Sequence, residues 1–494
     1  MTAPPPKVVV TLPARRVDDA VRQVARARDA GADAAELRCD RLAAGELARL
    51  GRLFPSELAL LATYRSRAEG GEGEDDPAAR RRVLLELASH PFRWIDLELA
   101  RDRELPPELP SPERLGRIFS CHLRSSADEA WRGPLRQLET VEGVGKLVVP
   151  AGLRAALEGL APEAARVGEN VVVLTTGASG PLLRAWARRF GYPLVYAALP
   201  DRPGTEKVEP SQLAIDRLRP VLHAEEPPPL FAILGRPVAH SASPAVHERW
   251  IAEDGERGLY LPLEIADDRE FVDALAPLAA GGFRGVNVTH PFKAVAQESA
   301  DELGRAAQAC GAANCLTFRG DEVLAENTDL LAMLRRLGEL RDAGRWDGEE
   351  LAVVGAGGAA RATLAAARTL RASATVYARR ATEARLLATE FDARDGSAAG
   401  ARPHRLLVHA TDVGREPTSR LDVPLGPLLA RGGHVLDWVY APTTTELQAS
   451  ALAASATYED GRRLLVYQAA ATYEIWWGHP PPEASVAALA AEAA

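Results

Sequence analysis

Two lysines stand out, because the chain hardly uses lysine. Only Lys7, Lys146, Lys207 and Lys293 occur among 59 Lys and Arg residues. Either side chain supplies a solvated positive charge, but only an ammonium gives up its proton readily, so Lys146 and Lys293 are the candidates for chemistry. Lys146 lies in VEGVGKLVVP (141–150), at the mouth of an apolar strand. Glu36, Arg38, Arg65, Glu98 and His122 likewise stand at the ends of short apolar runs. Arginines bind a carboxylate, and a histidine moves protons. A lysine among cations and apolar residues has its neutral form favoured, which lets it attack a ketone and form an imine. Each of these residues alone reads as an ordinary ion-paired loop residue; the set points to a site.

The second half carries another set. Lys293 closes GVNVTHPFK (285–293), Asn314 lies in GAANCL (311–316) and Asp329 in AENTD (325–329). In FAILGRPVAHSASPAVH (231–247), Ser243 before Pro244 reads as a helix cap, and with Ser241 it would also suit a carboxylate at a helix N-terminus. LAVVGAGGAARATL (351–364) places Gly355, Gly357 and Ala360 in a G-x-G-x-x-[GA] pattern after an apolar strand and before an Ala-rich helix, the context needed for backbone approach to a pyrophosphate. The next strand, ATVYARR (374–380), ends in Arg379 and Arg380 where an acidic residue would hold a free ribose. That favours a 2'-phosphate and hence NADP(H).

The elements that must position these residues are legible as patterns. Before residue 223, eight β-type runs alternate with Ala, Leu and Arg-rich helical stretches: 7–12, 34–38, 58–64, 94–99, 117–121, 145–149, 171–176 and 193–198. Eight such units predict an α/β chain opening with a (β/α)8 TIM barrel, whose chemistry sits at the C-terminal strand ends. RSRAEGGEGEDDPAAR (65–80) reads as a mobile acidic loop, and HAEEPPP (223–229) as an interdomain linker. With 494 residues there is room for about three domains. A net charge of −9 argues against nucleic-acid or anionic-membrane partners, and four cysteines without a C-x-x-C pair fit a reducing cytoplasm, with no metal site. No apolar run reaches membrane-spanning length and the start has no signal-peptide core.

AELRCDRL (35–42), TYRSRAEGG (63–71), SCHLR (120–124) and GKLVVP (145–150) together resemble the motifs of type I 3-dehydroquinate dehydratase. The resemblance implies a Schiff base on Lys146, His122 as general acid and base, and Glu69 orienting His122. Glu36, Arg38, Arg65 and, in GASGPLLR (177–184), Arg184 would bind the substrate's hydroxyls and carboxylate. The family's Ser-x-Pro-Gly-Gln loop is matched to DRPGT (201–205), with Asp201 and Thr205 as departures. The second half resembles shikimate dehydrogenase. This implies Lys293 and Asp329 as the catalytic pair, Ser241 and Ser243 on the carboxylate, and Thr289, Asn314, Asp329 and Gln468 on the hydroxyls, with Tyr440 beside the nicotinamide and substrate. Gly355, Ala356, Gly357, Gly358, Ala359, Arg379, Arg380 and Thr411 would hold the cofactor. Here Ala378 and His409 stand where the family has Asn, and Ala332 where it has Gly.

The implied organisation is a dehydratase barrel at 1–222, the linker, a substrate-binding domain at 230–335, a Rossmann NADP domain at 336–460, and a segment at 461–494 returning to the substrate domain. The implied function is two consecutive steps of the shikimate pathway, from 3-dehydroquinate through 3-dehydroshikimate to shikimate. Two other readings stay open: an NAD-dependent quinate or shikimate dehydrogenase with a weak or inactive barrel, and a metabolite-sensing regulator built from both folds.

Overall fold

The computed structural model describes residues 4–125, 129–201, 206–238, 241–414, 426–440 and 446–492. The chain divides into two units, Met1–Pro229 with Leu261–Ala266, and Leu230–Tyr260 with Asp267–Ala494. The boundary at Pro229 falls at the end of the proline-rich stretch read as a linker.

The first unit is an eight-stranded parallel sheet: β1 (Lys7–Leu12), β2 (Ala34–Arg38), β3 (Ala59–Thr63), β4 (Trp94–Glu98), β5 (Gly116–His122), β6 (Val144–Pro150), β7 (Val171–Thr176) and β8 (Leu194–Ala197). All eight fall on the apolar runs expected of them. They are Val, Leu and Ile-rich and almost wholly buried, as strands covered on both faces must be. The order β7-β6-β5-β4-β3-β2-β1-β8 wraps the sheet until β8 pairs with β1. Among the described residues no ladder joins β7 to β8, so the barrel is nearly rather than fully closed.

One expectation needs correcting. The stretch 65–80 is not simply a loop: Arg67–Glu69 forms a 3-10 turn with Ser66 capping it, and Asp76 caps the helix Pro77–Ser89. Glu69 is buried within that turn.

Two six-stranded sheets follow the barrel in the chain. The first contains β9 (Leu230–Gly235), β10 (Leu259–Glu264), β11 (Phe283–Val288), β12 (Glu302–Leu303), β13 (Cys315–Arg319) and β14 (Glu322–Glu326), in the order β10-β9-β11-β13-β14-β12, with β13 antiparallel to β11 and β14. The second contains β15 (Glu350–Val354), β16 (Ser373–Tyr377), β17 (Arg394–Asp395), β18 (His404–His409), β19 (Leu429–Asp437) and β20 (Thr457–Glu459). Its order, β17-β16-β15-β18-β19-β20, is all parallel and reverses direction between β15 and β18. In open α/β sheets ligands bind at that switch point, beyond the C-terminal strand ends. The late helix Arg462–Trp477 packs back on the first sheet, where Trp476 stacks on Phe231 at 4.7 Å and donates to the Leu316 carbonyl.

Candidate active sites

In a small parallel barrel, inward side chains at one level come from alternate strands. The even strands here deliver Glu36 from β2, Asp96 from β4, Lys146 from β6 and Tyr196 from β8, all buried. A level that would ordinarily be branched apolar side chains is therefore titratable. Lys146 Nζ pairs with Asp96 Oδ2, lies 4.0 Å from Glu36 Oε1, and sits 4.8 Å over the Tyr196 ring. The carboxylates are themselves held. Ser120 donates to Asp96 at 2.5 Å, and Thr11 and Thr63 donate to Glu36 at 2.7 and 2.8 Å. This corrects the expected surroundings of Lys146, because an acid touches the ammonium and cations alone do not enclose it.

Above this level a cavity of about 460 Å³ is lined by both charge signs, including Arg38, Arg65, Glu69, His122 and Lys146. Glu69 Oε2 accepts from the backbone N–H of His122 at 2.9 Å and lies 3.1 Å from its Nδ1. Burial, with the nearby Glu98 charge, pushes the Glu69 carboxyl up to about 7. Burial also holds the His122 imidazole well below its usual range, with Arg65, Lys146 and Arg38 adding to the effect. Arg38 is fixed by a two-pronged bond to Asp40 at 2.8 and 2.7 Å. Burial, then the like charge of Arg38, lowers Arg65. Arg184 lines the cavity but commits Nη1 to the carbonyls of Thr175 and Gly180, and burial lowers it to about 10.

Three residues of this site escaped the sequence reading. Asp96 and Tyr196 are polar side chains inside apolar runs, in phase with Lys146 around the barrel. Gln212 follows Pro210 and Ser211, and the structure corrects the match of the terminal loop to DRPGT: Gln212 lines the cavity, Asp201 is exposed, and Thr205 lies outside the described residues. The Gln212 Oε1, Tyr196 hydroxyl, Arg65 Nε and Arg184 Nε are all buried without hydrogen-bond partners. Orphaned buried polar atoms cost roughly 1–3 kcal/mol each, so such a cluster around one cavity is the signature of a polar ligand.

In the second unit, Lys293 opens the helix Lys293–Glu298 just beyond β11, and its Nζ bonds Asp329 Oδ2 at 2.5 Å. Asp329 is buried in the first turn of the helix Thr328–Asp342, which Asn327 caps. Asn314 Oδ1 accepts from the backbone N–H of Thr328 at 2.7 Å. The Thr328 hydroxyl in turn lies 3.1 Å from that of Thr472 and 3.5 Å from Gln468 Oε1. Asn287, also missed, is buried in β11 and joins Tyr260, Thr472 and the Asn314 carbonyl. An Asn inside the run GVNV was the available signal. Ser241 Oγ accepts from the backbone N–H of Ser243, which starts the helix Ser243–Glu253. The Thr289 methyl packs where a side chain on Gly235 would stand, and Tyr440 follows β19, partly exposed.

The dinucleotide loop adjoins this pair. Gly355, at φ +135°, could not carry a Cβ, which would stand 2.4 Å from the Ala410 carbonyl oxygen. A Cβ on Gly358, the first residue of the helix Gly358–Thr369, would meet Lys293 Cδ at 2.8 Å. Ala356 and Ala359 pack beside the core, and Arg379 and Arg380 are exposed just after β16, with Arg380 paired to Glu383. Thr411 lies just past the end of β18 across the switch point, its methyl 3.2 Å from the Gly355 Cβ position.

Fold and sites define an enzyme with two centres, a parallel-barrel lyase followed by a dehydrogenase built on a dinucleotide fold. Residues 8–227 match the family model of type I 3-dehydroquinase, and 233–316 that of the shikimate dehydrogenase substrate binding domain. A shikimate dehydrogenase (NADP(+)) of Dinoroseobacter shibae is 35% identical over 275 residues, covering 53% of this chain and 98% of that protein. The shikimate 5-dehydrogenase of Thermus thermophilus in complex with NADP(H) and shikimate is 32% identical, covering 54% of this chain and 100% of its own, with a TM-score of 0.48. The dehydroquinate dehydratase and shikimate dehydrogenase structure from S. pombe is 23% identical and covers 99% of this chain and 98% of its own, with a TM-score of 0.43. The chain belongs to the shikimate dehydrogenase family, with a type I 3-dehydroquinase unit fused ahead of it.

Proposed function

We propose that the chain dehydrates 3-dehydroquinate to 3-dehydroshikimate in its barrel and reduces the product to shikimate in its second unit, using NADPH. The observation that carries this reading is that Lys146 and Lys293 are each paired with an aspartate, Lys146 within β6 and lining a ligand-sized polar cavity, Lys293 just beyond β11 and against the dinucleotide loop.

In the barrel, Lys146 Nζ attacks the ketone and water leaves as the imine forms. The imine acidifies the adjacent C–H, and His122 Nε2 takes that proton while Glu69 holds Nδ1. The same imidazolium returns the proton to the β-hydroxyl, which leaves as water. Hydrolysis then frees the lysine. Asp96 positions Nζ and accepts the proton that the ammonium gives up before it attacks, and Arg65, Arg38, Arg184, Glu36 and Gln212 bind the carboxylate and hydroxyls.

In the second unit, NADPH supplies the hydride. Lys293 donates a proton to the oxygen that becomes the alkoxide, and Asp329 holds the ammonium in place. Ser241 and Ser243 face the carboxylate, with Thr289, Asn314, Asn287, Asp329 and Gln468 on the hydroxyls. The loop fits the cofactor: Gly355 and Gly358 keep backbone and lysine close, and Arg379 and Arg380 stand where an acid would repel a 2'-phosphate. We place the domain boundaries of the second unit at 230–335, 336–460 and 461–494, and the chain in the cytoplasm, where its four free cysteines stay reduced.

The test mixes purified protein with 3-dehydroquinate and NADPH. NADPH absorbance falls only if both centres work in sequence. Consumption from 3-dehydroshikimate alone would leave the NAD- or NADP-dependent dehydrogenase reading with an idle barrel, and no consumption from either would favour a sensor.

A further inference from the structure

His409 and Asp437 form a buried pair that the reaction above does not use. Both side chains are essentially inaccessible, at 0% and 1%. His409 Nδ1 lies 2.7 Å from Asp437 Oδ1, and His409 Nε2 lies 2.6 Å from Thr411 Oγ1. Asp437 also accepts from the backbone N–H of Val439 at 2.9 Å and the Tyr458 hydroxyl at 2.9 Å, so its carboxylate meets three donors. The whole array runs from β20 through the ends of β19 and β18 to the switch point where the dinucleotide loop lies.

For a neutral imidazole, donor and acceptor accounting gives the direction of each bond. A carboxylate only accepts, so Nδ1 carries the imidazole proton and Nε2 is left as an acceptor. Thr411 must then donate its single hydroxyl proton to Nε2. Its oxygen also accepts from the Val413 N–H at 3.2 Å, and its remaining capacity is for accepting alone. A hydroxyl locked this way repels phosphate oxygens, which are acceptors, and suits a hydroxyl or amide N–H.

We infer that His409 is a positioning residue that, braced by Asp437, turns the Thr411 hydroxyl into a fixed acceptor for the nicotinamide nucleoside half of the cofactor, a ribose hydroxyl or the carboxamide N–H. This rests on the NADPH site proposed above. Asn at 409 could bridge the same partners, donating through its amide to Asp437 and accepting from Thr411 through its oxygen. Leu could do neither.

The experiment measures KM for NADPH and for 3-dehydroshikimate in the full chain carrying His409→Leu, Thr411→Val, both together, or His409→Asn. Loss of one neutral hydrogen bond predicts a roughly 2- to 12-fold rise in KM for NADPH in each of the first two, with KM for 3-dehydroshikimate unchanged. The double variant should be no worse than either single one, because the pair acts as a unit. His409→Asn should restore the NADPH KM. Additive losses, equal effects on both KM values, or failure of Asn to rescue would overturn the inference. If His409→Leu does not fold, the contrast of Thr411→Val with His409→Asn decides it in the same way. An unmodified enzyme that never oxidises NADPH would instead sink the cofactor reading itself.

Discussion

Replacing Glu69 by Gln isolates what the buried carboxylate does for His122. In the native site burial raises Glu69 to about 7, while His122 is held well below its ordinary value, so across neutral pH the titrating member of the pair is Glu69. When ionised, Glu69 accepts the Nδ1 proton and leaves Nε2 as a bare base. When protonated, it donates to Nδ1 and the imidazole proton moves to Nε2, where no proton can be taken up. At pH 6 only ~10% of Glu69 is ionised and at pH 8 ~90%, so the dehydratase kcat/KM should fall about tenfold over the two units, with the acid limb centred near 7. Glu69→Gln cannot titrate, so its profile should lose that limb, and its plateau should drop on the order of 10²-fold because orientation of the base is weakened. The assay is the rise in absorbance of the conjugated product at fixed saturating and sub-saturating substrate from pH 5 to 9. A Gln variant retaining the same limb would show that the limb belongs to another group. Folding carries the same sign: a carboxyl whose folded value is raised contributes stability below its unfolded value of 4.5, lost as pH rises through about 7. The Gln variant should therefore lose part of its stability advantage at low pH relative to pH 8.

The remaining expectations concern both lysines and the cofactor. Borohydride with 3-dehydroquinate should trap a covalent adduct on Lys146, detected by mass, and Lys146→Arg should abolish dehydration while reduction of 3-dehydroshikimate persists. Lys293→Ala and Asp329→Asn should each lower the dehydrogenase rate on the order of 10² to 10⁴-fold without loss of NADPH binding by fluorescence, and the double variant should fall short of the product of the two. Arg379→Ala should weaken NADPH ~10- to 150-fold and leave NADH unchanged in steady-state kinetics, as expected for one charge-assisted bond to a phosphate.

The strands of the barrel were legible because each is a continuous apolar run buried on both faces; the charged residues read at their ends, Glu36, Arg38, Arg65, His122 and Lys146, all line the cavity, although Glu36 and Lys146 stand inside β2 and β6 rather than at their ends. Asp96, Tyr196 and Asn287 were not, because a polar residue within such a run declares its partner only once strands are in register: Asp96 meets Lys146 across β5, fifty positions away in the chain. Gln212 was hidden by loop alignment, since DRPGT preserves the Pro-Gly pair of the sought motif while the glutamine sits further on. His409 was visible as a departure from the family pattern, but its meaning required the Asp437 side chain behind it and the Thr411 hydroxyl in front. The acidic composition of 65–80 suggested a loop, and the burial of Glu69 within it shows that local composition does not fix depth.

The even-strand level of the barrel has a consequence for robustness. Ion pairs enclosed in protein regain in attraction little more than they lose in hydration, so Lys146 and Asp96 hold the fold less well than the apolar level they replace. Removing one partner strands the other and should cost about 3–5 kcal/mol, whereas Lys146→Met with Asp96→Leu should yield a dead barrel that melts higher than the living one. Thermal tolerance and turnover are thus set against each other at a single ring of four side chains, and selection for heat resistance alone would erase the chemistry there first.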